Sequence, residues 1–273
     1  MLKRQFLLVC ATFLTLLAGV ANAAPPPEKW ALWDQIEVDS TATIDHSLWQ
    51  AVLEKYVVES PDGINRFSYG AVAGEGREQL TGYLRAMAAI DPRDYNAAEQ
   101  QAYWINLYNA LTIDVVLKYP SKGSILRMGE RFFAVGPWDD EVIEVAGEDL
   151  TLNDIEHRIL RPIFKDHRVH YAVNCASIGC PNLSKTVFAA ADLEAQLAAA
   201  EAGYINHPRG VSLDDDGEVQ LSQIFEWYVD DFAEDEAGLL QYLAQHHTTL
   251  GDRLRSYDDD VEYDYDWDLN KAQ

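Results

Sequence analysis

The chain has 273 residues and a formal net charge of −24 at pH 7. A field of that sign repels the phosphates of nucleic acids and anionic lipid surfaces, so neither is expected as a partner. About 250 residues are enough to bury one sizeable hydrophobic core without disulfides or metals.

The first 23 residues have the pattern of a secretory signal peptide. A basic start at Lys3 and Arg4 precedes an apolar run over residues 6–20, and residues 21–23 (Ala-Asn-Ala) match a signal-peptidase site. That run is shorter than the about 20 residues that a membrane-spanning helix needs. We therefore expect cleavage after Ala23, no membrane span in the mature chain, and a periplasmic or secreted protein.

Cleavage would remove Cys10 and leave Cys175 and Cys180. Two cysteines in an oxidising compartment pair by default, which predicts a disulfide. A bridge that closes so short a loop stabilises a fold by only about 2 kcal/mol, so we do not expect the fold to depend on it.

Apolar residues at helical spacing predict helices over residues 46–58, 77–90 and 97–119. Alternating runs around polar turns predict two hairpins, over residues 141–152 and 211–221. Four further helices and a half-buried final strand are predicted over 153–160, 191–205, 223–232, 237–247 and 258–268.

Helices in runs, together with hairpins, favour an α+β fold. We predict a helix-rich single domain over residues 24–273 with a small, mostly antiparallel sheet. Because the sequence contains no glycine-rich nucleotide cradle, no His-Glu-x-x-His and no paired Cys-x-x-Cys, we predict no cofactor and no metal site.

The most unusual segment is residues 170–181, where a buried strand predicted over residues 168–174 ends and a loop of small residues follows. A thiolate beside an imidazole is a nucleophile with its base. On a strand, His170 and Asn174 share a face that Cys175 does not, so a His170–Cys180 pair oriented by Asn174 is sterically easier than a His170–Cys175 pair. The alternative is a Cys175–Cys180 disulfide that pins the loop, with His170 as a buried core histidine.

The predicted helix over 97–119 is apolar nearly all the way round but contains Asn106 and Asn109. A buried amide that finds no partner costs about 1–3 kcal/mol. These two amides either tie down neighbouring loops or line a cleft. We therefore treat Asn106 and Asn109, together with Glu156 of the helix predicted over residues 153–160, as candidates for lining a substrate cleft.

Five segments of the sequence together carry a family resemblance, and they occur in family order: residues 103–111, 154–161, 170–181, 224–232 and 265–270. Over about residues 90–270 the chain thus resembles the family catalogued as domain of unknown function 547. The resemblance implies no assigned reaction, but it places His170, Asn174, Cys175 and Cys180 in a shared pattern.

The leading hypothesis is an exported, thiol-dependent hydrolase or acyl or peptidyl transferase that acts on a small molecule or a peptide. In it, Cys180 or Cys175 is the nucleophile, His170 the base, and Asn174 the orienter or an oxyanion donor. The alternative is a non-catalytic envelope binding protein with a structural disulfide. The sequence does not decide between an enzyme and a binding protein.

Overall fold

The computed structural model describes residues 24–130 and 135–272, so the predicted signal peptide lies outside the described residues. The protein is 46% helical, and ten helices and small sheets of two or three strands lie in the described part. This confirms the predicted helix-rich α+β class. Within the same residues, no helix combines the length and the apolar character needed to cross a bilayer.

A first apolar cluster is built from buried residues between Trp33 and Leu197. Its central helix is buried around nearly its whole circumference, because its sequence is apolar on every face. The elements are α1 (Ser47–Tyr56), β1 (Val57–Val58), β2 (Arg66–Phe67), α2 (Glu75–Ala88), the central α3 (Ala97–Lys118), β3 (Ile143–Val145), β4 (Glu148–Leu150) and a π-helix (Asp154–Phe164).

Capping and turn residues explain where several of these elements begin and end. Asn96 caps α3, since its side chain accepts a hydrogen bond from the backbone N–H of Glu99 at 3.1 Å. The β3–β4 hairpin turns through Ala146 and Gly147, which both have positive φ, as two-residue turns between twisted strands require.

The π-helix is longer than the sequence predicted, because it continues past Pro162. A proline has no N–H to donate to the carbonyls four and five residues earlier, those of Arg158 and His157. The N-terminal segment supplies donors to both carbonyls: Trp30 N–H donates to Arg158 O at 3.0 Å, and Glu28 N–H donates to His157 O at 3.1 Å. This replacement explains why the proline does not end the helix.

The predicted strand over residues 168–174 is wrong, since α4 (Val169–Ala172) is a single helical turn. The Asp166 carboxylate accepts a hydrogen bond from Arg168 N at 3.0 Å and also binds its guanidinium, which favours a turn at this point. Val169 packs in the first apolar cluster and Tyr171 in a second one, so the alternation reflects two clusters rather than two faces of a strand. The strand geometry that favoured a His170–Cys180 pair over a His170–Cys175 pair therefore does not apply.

The second apolar cluster lies in the C-terminal half. A three-stranded sheet forms there, in which β7 runs parallel to β6 and β5 antiparallel to it. The predicted helix over 223–232 is broken at Tyr228. The elements are α5 (Leu193–Ile205), β5 (Val211–Leu213), β6 (Val219–Ser222), α6 (Gln223–Trp227), α7 (Val229–Phe232), α8 (Glu236–His246), α9 (Gly251–Arg255) and β7 (Glu262–Asp264).

The two asparagines of α3 hold backbone groups of neighbouring segments. Asn106 donates to Phe188 O at 2.7 Å and accepts from Phe188 N at 3.0 Å. Asn109 donates to Ala172 O at 2.9 Å and accepts from Asn174 N at 2.8 Å. Both amides thus tie the central helix to the chain around the cysteines.

We predict that Asn106→Leu lowers the free energy of unfolding by about 3 kcal/mol, because it leaves both backbone groups of Phe188 buried without a partner. Chemical denaturation followed by circular dichroism measures the loss. Lys118→Ala, at an exposed position on the same helix, should change the stability by no more than about 0.5 kcal/mol. Equal losses in the two variants would contradict this assignment.

Candidate functional site

A cavity of about 310 Å³ lies where the two apolar clusters meet. Of the residues that the sequence singled out, His170, Cys175, Cys180 and Glu156 line it. Asn106, Asn109 and Asn174 are not part of its lining within the described residues. The structure therefore brings one imidazole, one carboxylate and both sulfurs to a single cavity.

Asn174 shapes the loop that carries the cysteines. Its side chain accepts a hydrogen bond from Ala176 N at 2.9 Å and donates one to Pro181 O at 2.7 Å. Ala176 has a φ of 62°, a left-handed conformation that a non-glycine residue adopts only when its surroundings impose it. The resulting sharp turn leaves Cys175 half-buried at its apex.

The C-terminal tail holds the same loop from outside. Ile178 N–H donates to Asp268 O and Gly179 N–H donates to Asp266 O, both at 2.8 Å. A Cβ at position 179 would lie only 2.9 Å from the backbone nitrogen of Asp266. The close approach of the two backbones therefore requires glycine at this position.

Cys175 and Cys180 are free thiols in the structure, so the predicted disulfide is not present in it. Their sulfurs lie 2.6 Å apart, and Cys175 N–H lies 2.9 Å from Cys180 Sγ. The two cysteines differ in exposure, because Cys180 is 4% exposed whereas Cys175 is half-buried. Cys175 is thus the sulfur within easier reach of a ligand.

Hydrogen-bond donors gather around the Cys175 sulfur. Ser177 Oγ lies 3.2 Å from it and the Tyr265 hydroxyl 3.1 Å from it. Burial raises the pKa of Cys175, but the hydrogen bonds from Cys180, Ser177 and Tyr265 outweigh it and the net pKa is lowered. Burial and the nearby Cys175 sulfur raise the pKa of Cys180. If one sulfur of the pair is ionised, it is that of Cys175.

His170 is held by a residue that the sequence analysis did not single out. Its Nε2 lies 2.6 Å from Asp231 Oδ2, and its ring stacks on Tyr228 at a centroid distance of 3.9 Å. Its Nδ1 has no hydrogen-bond partner among the described residues and lies 3.9 Å from Glu156 Oε1. Since an ionised carboxylate only accepts, Nε2 carries a proton and Nδ1 is the nitrogen left to exchange one.

Asp231 is fixed in its ionised form by a second partner. The Nε of Arg161 donates to Asp231 Oδ2 at 2.5 Å, and the guanidinium is almost fully buried. Burial raises the pKa of Asp231, but the hydrogen bonds from His170 and Arg161 outweigh it, so the pKa lies well below its usual range. Arg161, Asp231 and His170 therefore form a chain of charge-assisted contacts that ends at the cavity.

A second carboxylate, Glu156, is buried beside this chain. It accepts a hydrogen bond from the Tyr228 hydroxyl at 2.9 Å. Burial raises the pKa of Glu156, but the neighbouring His157 and His170 rings and the hydroxyls of Tyr228 and Tyr108 outweigh it, and the net pKa is lowered. Glu156 thus places a negative charge near the His170 ring.

Four half-buried aromatic side chains form one side of the cavity, here called the aromatic wall: Trp138, Trp227, Tyr265 and Trp267. Tyr265 lies at its centre, with ring centroids 4.9 Å from Trp227 and 4.6 Å from Trp267. Trp227 and Trp267 also contact each other, with ring centroids 5.5 Å apart. They therefore offer an apolar surface that begins at the Cys175 sulfur.

Groups of three or more His, Cys, Asp and Glu side chains arranged to hold a metal ion are not found in residues 24–130 and 135–272. Glu156, which lines the cavity, accepts a hydrogen bond from the Tyr228 hydroxyl, and Asp231 behind His170 binds the Arg161 guanidinium. What the arrangement offers is a sulfur with a lowered pKa, a histidine that can exchange a proton, and an apolar surface beside them.

The sequence analysis missed Asp231, Arg161, Tyr228 and Tyr265 as site residues. All four lie within the segments that carry the family resemblance, and that is the signal that could have found them. Their roles depend on long-range contacts, such as the 70 residues of chain between Arg161 and Asp231.

A family model described as "Protein of unknown function, DUF547" matches residues 92–205. No curated protein and no solved structure matches the chain. The matched range contains α3, the π-helix, α4 and the cysteine loop. Asp231 and Tyr265 lie beyond its C-terminal end.

We predict that Cys175 is alkylated by iodoacetamide with a pH midpoint below the about 8.5 of a free cysteine, because the thiolate is the reactive form. Mass spectrometry of the labelled peptides at a series of pH values measures this midpoint. Tyr265→Phe removes one donor and should raise it by about one pH unit. Tyr263→Phe, which removes a hydroxyl bound to Glu236 on the same tail, should leave it unchanged. A midpoint at or above that of a free cysteine in the unchanged protein would contradict the assignment.

Proposed function

We propose that the cavity is the active site of a thiol-dependent hydrolase or acyl transferase. Residues 92–205 of the chain, which match the DUF547 family model, supply most of the proposed site. Cys175 is the nucleophile, His170 the proton-transfer group and Asp231 its orienter. One observation carries the proposal: a sulfur with a lowered pKa lines the same cavity as an imidazole nitrogen that has no hydrogen-bond partner among the described residues.

The first half of the reaction forms a thioester. The Cys175 thiolate attacks the carbonyl carbon of the acyl donor, and the charge moves from sulfur to the carbonyl oxygen. The Tyr265 hydroxyl, which lies 3.1 Å from the sulfur, then loses its anionic acceptor and is free to donate to the oxyanion. The tetrahedral intermediate collapses, and the leaving group takes a proton from Nδ1 of the His170 imidazolium.

The second half of the reaction releases the acyl group. Neutral His170 accepts a proton at Nδ1 from water, or from the acceptor of a transferase, as that nucleophile attacks the thioester. The acid, or the acylated acceptor of a transferase, leaves. The Cys175 thiolate and the imidazolium are then restored. Asp231 keeps the ring oriented throughout.

The aromatic wall defines the acyl group. Because Tyr265 belongs both to the wall and to the surroundings of the sulfur, an acyl group attached to Cys175 extends along the rings of Trp227 and Trp267. Burying apolar carbon there contributes about 25 cal/mol per Å². We infer an apolar or aromatic acyl group, from a small molecule or from a peptide.

We place this chemistry outside the cytoplasm, in the periplasm or after secretion. The support is the signal-peptide pattern of residues 1–23 and an acidic chain that has only two cysteines after them. In an oxidising compartment, sulfurs 2.6 Å apart are poised to form a disulfide, and the reduced pair is the active form.

The same sulfur contact favours one alternative, a non-catalytic binding protein in which a Cys175–Cys180 disulfide holds the loop. The Cys175→Ser/Cys180→Ser double variant separates the two functions. Retained ligand binding with modest destabilisation indicates the binding protein. Lost turnover with an intact fold indicates the enzyme.

We predict that Cys175→Ser and His170→Gln each lower kcat/KM for an activated thioester of an aromatic acid by at least about 10²-fold, because each removes a group that takes part in bond making or proton transfer. Release of the free thiol under reducing conditions, followed in a spectrophotometer, measures the rate. His246→Gln, outside the cavity, is the matched control and should keep full activity.

Asp231→Asn should lower the rate by about 10²-fold or more, because the amide neither holds the Nε2–H tautomer of His170 nor stabilises its cation. Its neighbour Asp230 is exposed, so Asp230→Asn is the matched control and should be silent. If Asp231→Asn is as active as Asp230→Asn while both are folded, His170 is not the proton-transfer group.

A further inference from the structure

Glu156 is a buried carboxylate in the wall of the cavity. Its side chain is 7% exposed, and the hydroxyls of Tyr228 and Tyr108 donate to it. In residues 24–130 and 135–272 its one ion-pair contact is with the ring of His170, and no Lys or Arg side chain there pairs with it. A buried charge is costly unless partners compensate it, so this carboxylate is suited to accept a further hydrogen bond from a ligand.

The proton-transfer nitrogen of His170 faces this carboxylate across a short gap. The 3.9 Å between His170 Nδ1 and Glu156 Oε1 is too long for a hydrogen bond, but one atom between them can lie about 2.9 Å from each. Nδ1 has no hydrogen-bond partner among the described residues. Oε1 accepts from the Tyr228 hydroxyl at 2.9 Å and, as a carboxylate oxygen, can accept a second hydrogen bond. A single ligand atom can therefore bind both groups.

The atom at this position has to meet two different demands. In the proposed reaction Nδ1 gives its proton to the leaving atom, so that atom needs a lone pair to accept it. Glu156 is ionised, because its pKa is lowered, and an ionised carboxylate only accepts, so the same atom also needs a hydrogen to donate. An amide nitrogen in the tetrahedral intermediate has both a lone pair and a hydrogen. The oxygen of an ester and the sulfur of a thioester have lone pairs but no hydrogen.

We propose that the acyl donor of this site is an amide of a primary amine, selected by a hydrogen bond from its leaving nitrogen to Glu156. The inference rests on the proposed function and names the substrate class of that same site. When the bond from the Cys175 sulfur to carbon has formed, the carbon–nitrogen bond breaks. Its electron pair stays on nitrogen, which takes the Nδ1 proton of His170. The free amine then has two hydrogens, one for Glu156 and one for the deprotonated Nδ1, and solvent protonates it on release.

Amine binding at the position between Nδ1 and Glu156, here called the amine site, can be tested without turnover. Benzylamine, an ammonium ion at pH 7, and benzyl alcohol offer the cavity the same ring, but only the amine can donate more than one hydrogen bond. Calorimetric titration of the Cys175→Ser protein, in which no thiolate competes for the ammonium ion, measures both dissociation constants. We expect the amine to bind at least about tenfold more tightly than the alcohol.

Two glutamates separate the amine site from the general attraction of an acidic protein for cations. Adding Glu156→Gln to the Cys175→Ser protein should abolish the preference for the amine. Glu226 is exposed and does not line the cavity, so adding Glu226→Gln removes the same charge and should preserve the preference.

Kinetics test the same hydrogen bond during the reaction. The substrates are an amide and a thioester of one aromatic acid, so the acyl group is identical and only the leaving group differs. In the protein with both cysteines, Glu156→Gln should lower kcat/KM for the amide at least about tenfold more than for the thioester, because only the amide nitrogen donates to Glu156. A general disturbance of the fold would lower both rates by the same factor.

The outcomes separate this inference from the proposed function. Equal binding of the amine and the alcohol, or a preference that survives Glu156→Gln, overturns the amine site, whatever the activity of the protein. Equal losses of amide and thioester turnover in the Glu156→Gln protein overturn the selection of amides. A preference for the amine that depends on Glu156, in a protein that turns over neither substrate, supports the amine site and overturns the proposed function.

Discussion

The buried contact between Arg161 and Asp231 connects the parts of this protein on which its site depends. Arg161 lies on the π-helix of the first apolar cluster, and Asp231 lies on α7 beside the second. A buried charge without a partner is costly, so neither side chain can leave without the other. Their pairing links an element of each cluster, Asp231 orients the imidazole of His170, and the Arg161 guanidinium also binds the N-terminal segment through Pro25 O.

Sequence patterns were sufficient where structure is set locally. The three helices of the N-terminal half and both hairpins follow from apolar periodicity, capping residues and turn residues, which act within a few positions of one another. Sequence patterns failed where contacts with distant chain segments determine the local structure. Pro162 stays inside a helix because Glu28 and Trp30 supply donors from more than 120 residues away. A local sequence pattern contains no information about so distant a contact. The apparent strand over residues 168–174 alternates because it borders two apolar clusters.

The residues of the candidate site likewise fall into those that the sequence identified and those that only the fold identifies. The cysteines, His170 and Glu156 were found because such residues are chemically unusual inside an apolar segment. Asp231 and Tyr265 were not, because an aspartate or a tyrosine in a chain with 45 acidic and 14 tyrosine residues carries no signal of its own. Only the fold distinguishes Asp231 from its exposed neighbour Asp230, and Tyr265 from the other aromatic residues of the acidic tail.

The clamp of the C-terminal tail on the cysteine loop has a consequence for biosynthesis. Ile178 and Gly179 obtain their backbone acceptors from Asp268 and Asp266, which are synthesised later than the loop itself. The loop cannot take its final shape before this tail has been made. A nascent chain that stops short of the tail therefore has no organised sulfur pair, and its thiols acquire their different acidities only when the tail has docked.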